Sequence, residues 1–190
     1  MMTRRIVAEY GKHIRILGYR LCRAVDPRAF IGAARFALSP VVVQFFDADT
    51  VAGTDHLFFA ALNALKSYGQ GRGIAQTLDI EILLYVSCQG QIGEAIRRVG
   101  LTSETKRVAV VVVGDDEHGV ESAVDKLGSL IPGSPDQLVL SCIDEVKAAR
   151  LMTAYGVDEA ELDTLLETGG AIDAFSWLII ERAALLDARR

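Results

Sequence analysis

The stretch "LLYVSCQGQIGEAIRRVG", residues 83–100, decides how the chain is read. Its first part completes the segment "DIEILLYVS" (79–87), whose apolar run reads as a strand buried on both faces. After the polar "SCQGQ", the residues Ile92, Ala95, Ile96 and Val99 recur at helical spacing, and Gly100 stands where a helix ends. The stretch therefore predicts a strand–turn–helix junction. Outward from it the same alternation repeats. "HIRILGYRL" (13–21) alternates as a strand, and "DPRAFIGAARFAL" (26–38) opens a helix with Asp26 as cap and Pro27 in the first turn. "VVVQFFDA" (41–48) is a second strand, followed by a helix over 56–68 that Thr54 or Asp55 can cap. "RVAVVVVG" (107–114) is the fourth strand, and 119–131, 158–167 and 172–190 read as helices. The order β-α-β-α-β-α-β, then helices, predicts an α/β single-domain sandwich over 1–190. Its central, mostly buried sheet has about four strands, parallel or mixed, flanked by helices, and its C-terminal region is helical.

Half of the 190 residues are hydrophobic (51%), enough for a substantial core. The longest apolar run, 108–113, is far too short for a membrane span, and the basic N-terminus has no apolar stretch after it. Three separated cysteines, Cys22, Cys88 and Cys142, make neither a disulfide framework nor a zinc pattern, which favours a reducing cytoplasm. A net charge of -5 argues against wholesale wrapping of nucleic acid and leaves room for a local basic patch.

Chemical motifs are missing. "GQGRG" (69–73) follows a helix and lacks the spacing of a dinucleotide loop, and "VVVVGDDEHGV" (110–120) offers carboxylates where a phosphate needs donors. His13, His56 and His118 fall on different segments without ligand spacing, and Asp115 and Asp116 read as loop solvation. The chain thus reads as a non-enzyme with no cofactor, no metal and no membrane.

Two segments point to partners instead. On the last helix, Ile172, Phe175, Ile179, Ala183 and Leu186 form one core stripe, yet Trp177, Ile180 and Ala184 lie on a second side and Leu178 and Leu185 on a third. A helix apolar nearly all round needs burial on more than one side, from its own domain or from another chain. At the junction, backbone donors beside Gln91 and Arg98, bordered by Lys66 and Arg72, suit either a solvated turn or a docking site for an RNA end or partner loop.

At these residues the chain resembles the PRPK-binding-protein (TPRKB-like) subunit of the KEOPS/EKC complex, of archaeal type. The resemblance rests on Ala61-Leu62-Asn63-Ala64, on "EILLYVS" (81–87), on Gln91-Ile92, Ala95-Ile96 and Gly100, and on the closing "IIERAALLD" (179–187). The family has Gly and then Arg in the turn before the "QI" pair, where this chain has Cys88 and Gly90. The resemblance implies a non-catalytic subunit that binds the small atypical kinase of KEOPS, which bridges it to the carbamoyl-transfer subunit. It also implies help in recruiting tRNA by its CCA tail for threonylcarbamoyladenosine formation beside the anticodon. The expected kinase surface is Trp177, Leu178, Ile180, Arg182 and Leu185; the expected tRNA surface is Asn63, Lys66, Arg72, Gln91 and Arg98. The rival readings are a small-molecule enzyme using the junction at 87–91 and a homodimer through the last helix.

Overall fold

The computed structural model describes residues 3–7, 10–158, 160–162 and 170–188. Five strands, β1 (Thr3–Val7), β2 (Lys12–Leu21), β3 (Val42–Asp47), β4 (Arg107–Gly114) and the short β5 (Gly133–Pro135), form one sheet. Eight helices accompany them among the described residues: α1 (Pro27–Leu38), α2 (Thr54–Gly69), α3 (Leu78–Ser87), α4 (Ile92–Val99), α5 (Glu117–Leu130), α6 (Leu138–Ser141), α7 (Glu145–Tyr155) and α8 (Ala171–Ala188). The expected α/β fold, a sheet of about four main strands between helices with a helical C-terminal region, is present. The helix expected at 158–167 lies mostly outside the described residues, and so does the side chain of Ile172.

The sheet runs β1-β2-β4-β3 with β5 on the end of β2, and every pairing is antiparallel. The sequence favours a parallel or mixed sheet because its strands and helices alternate. β4, however, inserts between β2 and β3 and runs against both. β2 and β3 are therefore parallel to each other across α1 without being hydrogen-bonded neighbours. β1 is a strand that the sequence reading omits. It pairs with β2, and just before β2 Gly11 takes φ +58°, a left-handed conformation that glycine adopts without strain.

Residues 79–87 are the larger correction: they form a helix, not the third strand. A short, wholly apolar run satisfies a strand in a covered sheet and a helix in a core equally well, and periodicity cannot separate the two. Ile82, Leu83, Leu84, Tyr85 and Val86 are each at most 2% exposed, because α3 lies between β3 of the sheet and the helices α2, α4 and α8. Asp79 and Glu81 occupy the first turn, where a helix favours negative charge, a weak local pointer beside the apolar run.

Alternation along the strands divides the core. Ile14, Ile16, Phe46, Ala109, Val111 and Val113 face α2, α3, α7 and α8, while Leu17, Tyr19, Val43, Phe45, Val108, Val110 and Val112 face α1 and α5. With both faces covered, β4 has no use for polar residues, hence its valine run. Capping follows the sequence at α1, where Asp26 accepts from the Ala29 N–H at 3.0 Å. At α2 the cap is Gly53, at φ +100°, rather than Thr54 or Asp55, which lie inside the helix.

Candidate functional site

A buried helix must find partners for its last four carbonyls. At α3 each one is accounted for. Leu84 O accepts from the Gln89 N–H at 3.0 Å and Tyr85 O from the Cys88 N–H at 3.2 Å, a paired C-cap built on Cys88 at φ 54°, ψ 36°. Val86 O accepts from His56 Nε2 at 3.0 Å and from the Tyr155 hydroxyl at 2.9 Å. Ser87 O accepts from Arg98 Nη1 at 3.0 Å. His56 is fully buried and its Nδ1 accepts from the Ala52 N–H at 3.2 Å, which fixes the neutral Nε2–H form. Burial pushes its pKa down to about 4. This histidine is a structural donor.

Arg98 is held on three sides. Besides Ser87 O, it lies 5.5 Å over the Tyr155 ring. With the Gln89 amide oxygen turned toward the guanidinium, that oxygen accepts from Nη2 at 2.8 Å and from Nη1 at 2.9 Å. The segment 88–91 is thus the meeting of two helices, the carbonyl end of α3 and the amide end of α4, with Gln91 exposed as the N-cap of α4.

Beside this junction lies a depression of about 770 Å³ lined by Ile74, Cys88, Gln89, Gly90, Gln91, Glu94 and Leu186. Opposite the junction residues the lining includes Ile74 of the loop 70–77, a loop fastened through the Ile74 and Ala75 N–H groups, which donate to Glu81 Oε2 at 3.0 and 2.9 Å. Of the residues expected to touch tRNA, Gln91 lines this depression; Arg72 does not, and is exposed two residues before Ile74 with a hydrogen bond to Gln70. Lys66 is exposed near the end of α2, and Asn63 is half-buried one turn earlier. Arg98 is half-buried and does not line this depression; it lines a neighbouring one of about 840 Å³ together with Glu94, Arg97 and Arg150.

Helix α8 buries Ala174, Phe175, Ser176, Ile179, Ala183 and Leu186 against the core and packs along α2 and α3. Its opposite face carries Trp177, 63% exposed, and Leu185, 45% exposed, with Ala184 exposed between them. Ile180 and Leu178 are half-buried, and Leu178 packs against the core. Arg182 is bound to Glu161 at 2.9 and 3.0 Å and donates to Gly156 O at 3.4 Å, so it ties α8 to the turn after α7. On the expected second side Trp177 and Ala184 are exposed and Ile180 half-buried; on the third, Leu185 is exposed and Leu178 half-buried.

On α4, Ala95 and Val99 are buried as the spacing predicts, whereas Ile92 and Ile96 are 42% and 50% exposed. The helix is only two turns long and touches the core along a narrow strip. A polar cluster missed in the sequence lies where β3 ends and β4 begins. There Arg107 pairs with Asp49 and Asp144, Arg150 with Asp47 and Asp49, and buried Lys147 donates to Val139 O at 2.8 Å. Desolvation lowers the lysine's pKa to about 8, and Asp49 and Asp144 oppose it in part. These charges satisfy one another across β4, α7 and the 3-10 turn Ala48–Thr50. Among the described residues no three His, Cys, Asp or Glu side chains gather as metal ligands, and no helix is long and apolar enough to cross a membrane.

The sequence model of the family described as kinase binding protein CGI-121 matches residues 32–186, from α1 to the end of the core stripe on α8. Among known proteins, the EKC/KEOPS complex subunit CGI121 of Kluyveromyces lactis is 25% identical over 114 residues, covering 59% of this chain and 73% of that protein.

Proposed function

Because the chain belongs to the kinase binding protein CGI-121 family, we propose that it is a non-catalytic subunit of an archaeal-type KEOPS complex. It binds the small atypical kinase directly and meets the carbamoyl-transfer subunit through that kinase. It also helps recruit tRNA by its CCA end for threonylcarbamoyladenosine modification, in the cytoplasm. The observation that carries the kinase reading is the outer face of α8, where Trp177 and Leu185 are exposed on a helix whose other side is committed to the core. Trp is among the residue types enriched at the few positions that carry most of the binding energy at protein interfaces. Ile180 and Leu178 flank the patch, and Arg182 holds the helix at its end. The tRNA surface is Lys66, Arg72 and Gln91, all exposed, with half-buried Asn63 and Arg98 in supporting places.

The test is co-elution with the kinase on a sizing column. Trp177→Glu and Leu185→Glu abolish the complex while circular dichroism and melting stay as in the wild type. Leu178→Glu is a poor probe, since its side chain packs on the core. Persistence of the complex in both exposed-site variants would sink the assignment of α8.

A further inference from the structure

We propose that Glu81 and Arg98 are positioning residues that set the two walls of the depression at the α3–α4 junction, and that Arg98 is not itself an RNA contact; the proposal rests on the tRNA reading above. The walls are both pieces of irregular backbone, which need an external tether to hold one shape. Each has one. The loop 70–77 hangs on Glu81, a carboxylate with 0% exposure that accepts the Ile74 and Ala75 N–H groups; a Cβ added at Gly73 would lie 3.5 Å from Glu81 Oε2. The junction hangs on Arg98, whose guanidinium joins Ser87 O and the Gln89 amide while resting on Tyr155. Glu81 lies in α3 and Arg98 in α4, two packed helices, so the distance between the walls is fixed by the core.

Positioning and contact make opposite electrostatic predictions. Loss of an RNA-contacting cation flattens the salt dependence of binding, by about 0.7 to 1 in the slope of log K against log salt. Loss of a positioning residue lowers affinity and leaves the slope alone. Removing the negative charge of Glu81 favours a polyanion if charge alone matters, and weakens binding if the loop must be held.

The experiment is titration of tRNA into the full chain at 50 to 200 mM salt, for wild type, Arg98→Gln, Arg98→Lys and Glu81→Gln. Arg98→Gln is expected to bind about tenfold more weakly with the wild-type slope. Arg98→Lys is expected not to rescue, because an ammonium lacks the fork that spans two acceptors. Glu81→Gln is expected to weaken binding about threefold or more despite its gain in net positive charge. Co-elution with the kinase reports folding for each variant, and the two Arg98 variants decide the matter if Glu81→Gln fails to fold. Rescue by lysine, a slope flattened in Arg98→Gln, or tighter binding by a folded Glu81→Gln would overturn the proposal. Absence of tRNA binding by the wild type would overturn the recruitment reading, and the proposal with it, before any variant is compared.

Discussion

His56 shows how a residue legible as a type can be illegible as a role. Its position in the first turn of a helix was plain, yet nothing local announces that its ring spans from Ala52 to the last turn of α3, thirty residues on. The consequence is a pH dependence of known sign. The folded pKa is depressed to about 4, below the unfolded value near 6.5, so the unfolded chain binds the proton first. The contribution is complete above about pH 6.5 and declines as pH falls toward 4, by on the order of 3 kcal/mol in total. Urea denaturation of the wild type and His56→Gln at pH 7.5, 6 and 4.5 checks it: the gap between the two narrows steadily with acid, and a constant gap would show that the ring does not titrate on unfolding. Cys88 is the complementary case. The family's glycine at that place marked a special backbone conformation, and φ 54° is what it marked, although this chain meets the requirement with a residue that has a side chain. Its thiol partly compensates, reaching Ile179 O at 3.6 Å and so touching α8.

At the scale of elements, amphipathic segments were readable and uniformly apolar ones were not. α1, α2 and α5 each have a wet face and were placed by periodicity. α3 has none, so its apolar run could be assigned to either secondary structure, and only the sheet, whose four main places are taken by β1, β2, β4 and β3, leaves it helical. α8 was recognised as a helix by its length, and its second and third apolar sides each separated into an exposed and a half-buried residue, Trp177 and Ile180 on one and Leu185 and Leu178 on the other. The two helices should therefore answer truncation in opposite ways. Leu84→Ala, in a side chain with 0% exposure, costs about 2–5 kcal/mol of stability. Trp177→Ala changes stability by less than about 0.5 kcal/mol and weakens kinase binding by at least about 2 kcal/mol, some thirtyfold. Melting curves and titration calorimetry on the same two variants measure both quantities. A Trp177→Ala protein that loses several kcal/mol of stability would place that face inside the core after all.

At the scale of the molecule, topology was the least legible property, because the pairing of β4 between β2 and β3 joins strands far apart in sequence and no local pattern specifies it. Charge is a global property that the sequence states outright, and it constrains how tRNA can be held. A chain of net charge -5 repels a polyanion at long range, so attraction must come from a few local cations. The exposed cations of the expected tRNA surface are Lys66 and Arg72, the latter hydrogen-bonded to the neutral Gln70 amide, while Arg97 is paired with Glu94 and Arg98 donates to Ser87 O. Two phosphates neutralised on a single strand give a salt slope of about -1.4. The affinity of the isolated subunit should then fall only about sevenfold between 50 and 200 mM salt, against the thousandfold or more typical of proteins that grip six or more phosphates. Such a weak, shallow interaction becomes useful once the kinase docks on α8 and further subunits hold the same tRNA. The second contact is then intramolecular, and tethering raises the apparent affinity by about 10²–10⁴ without any new contact at the depression. Filter binding of tRNA to the subunit alone and to the assembled complex, across that salt range, tests both halves. A slope near -4 for the isolated chain would require a basic surface elsewhere, and equal affinity with and without the kinase would mean that the two surfaces do not act on the same tRNA.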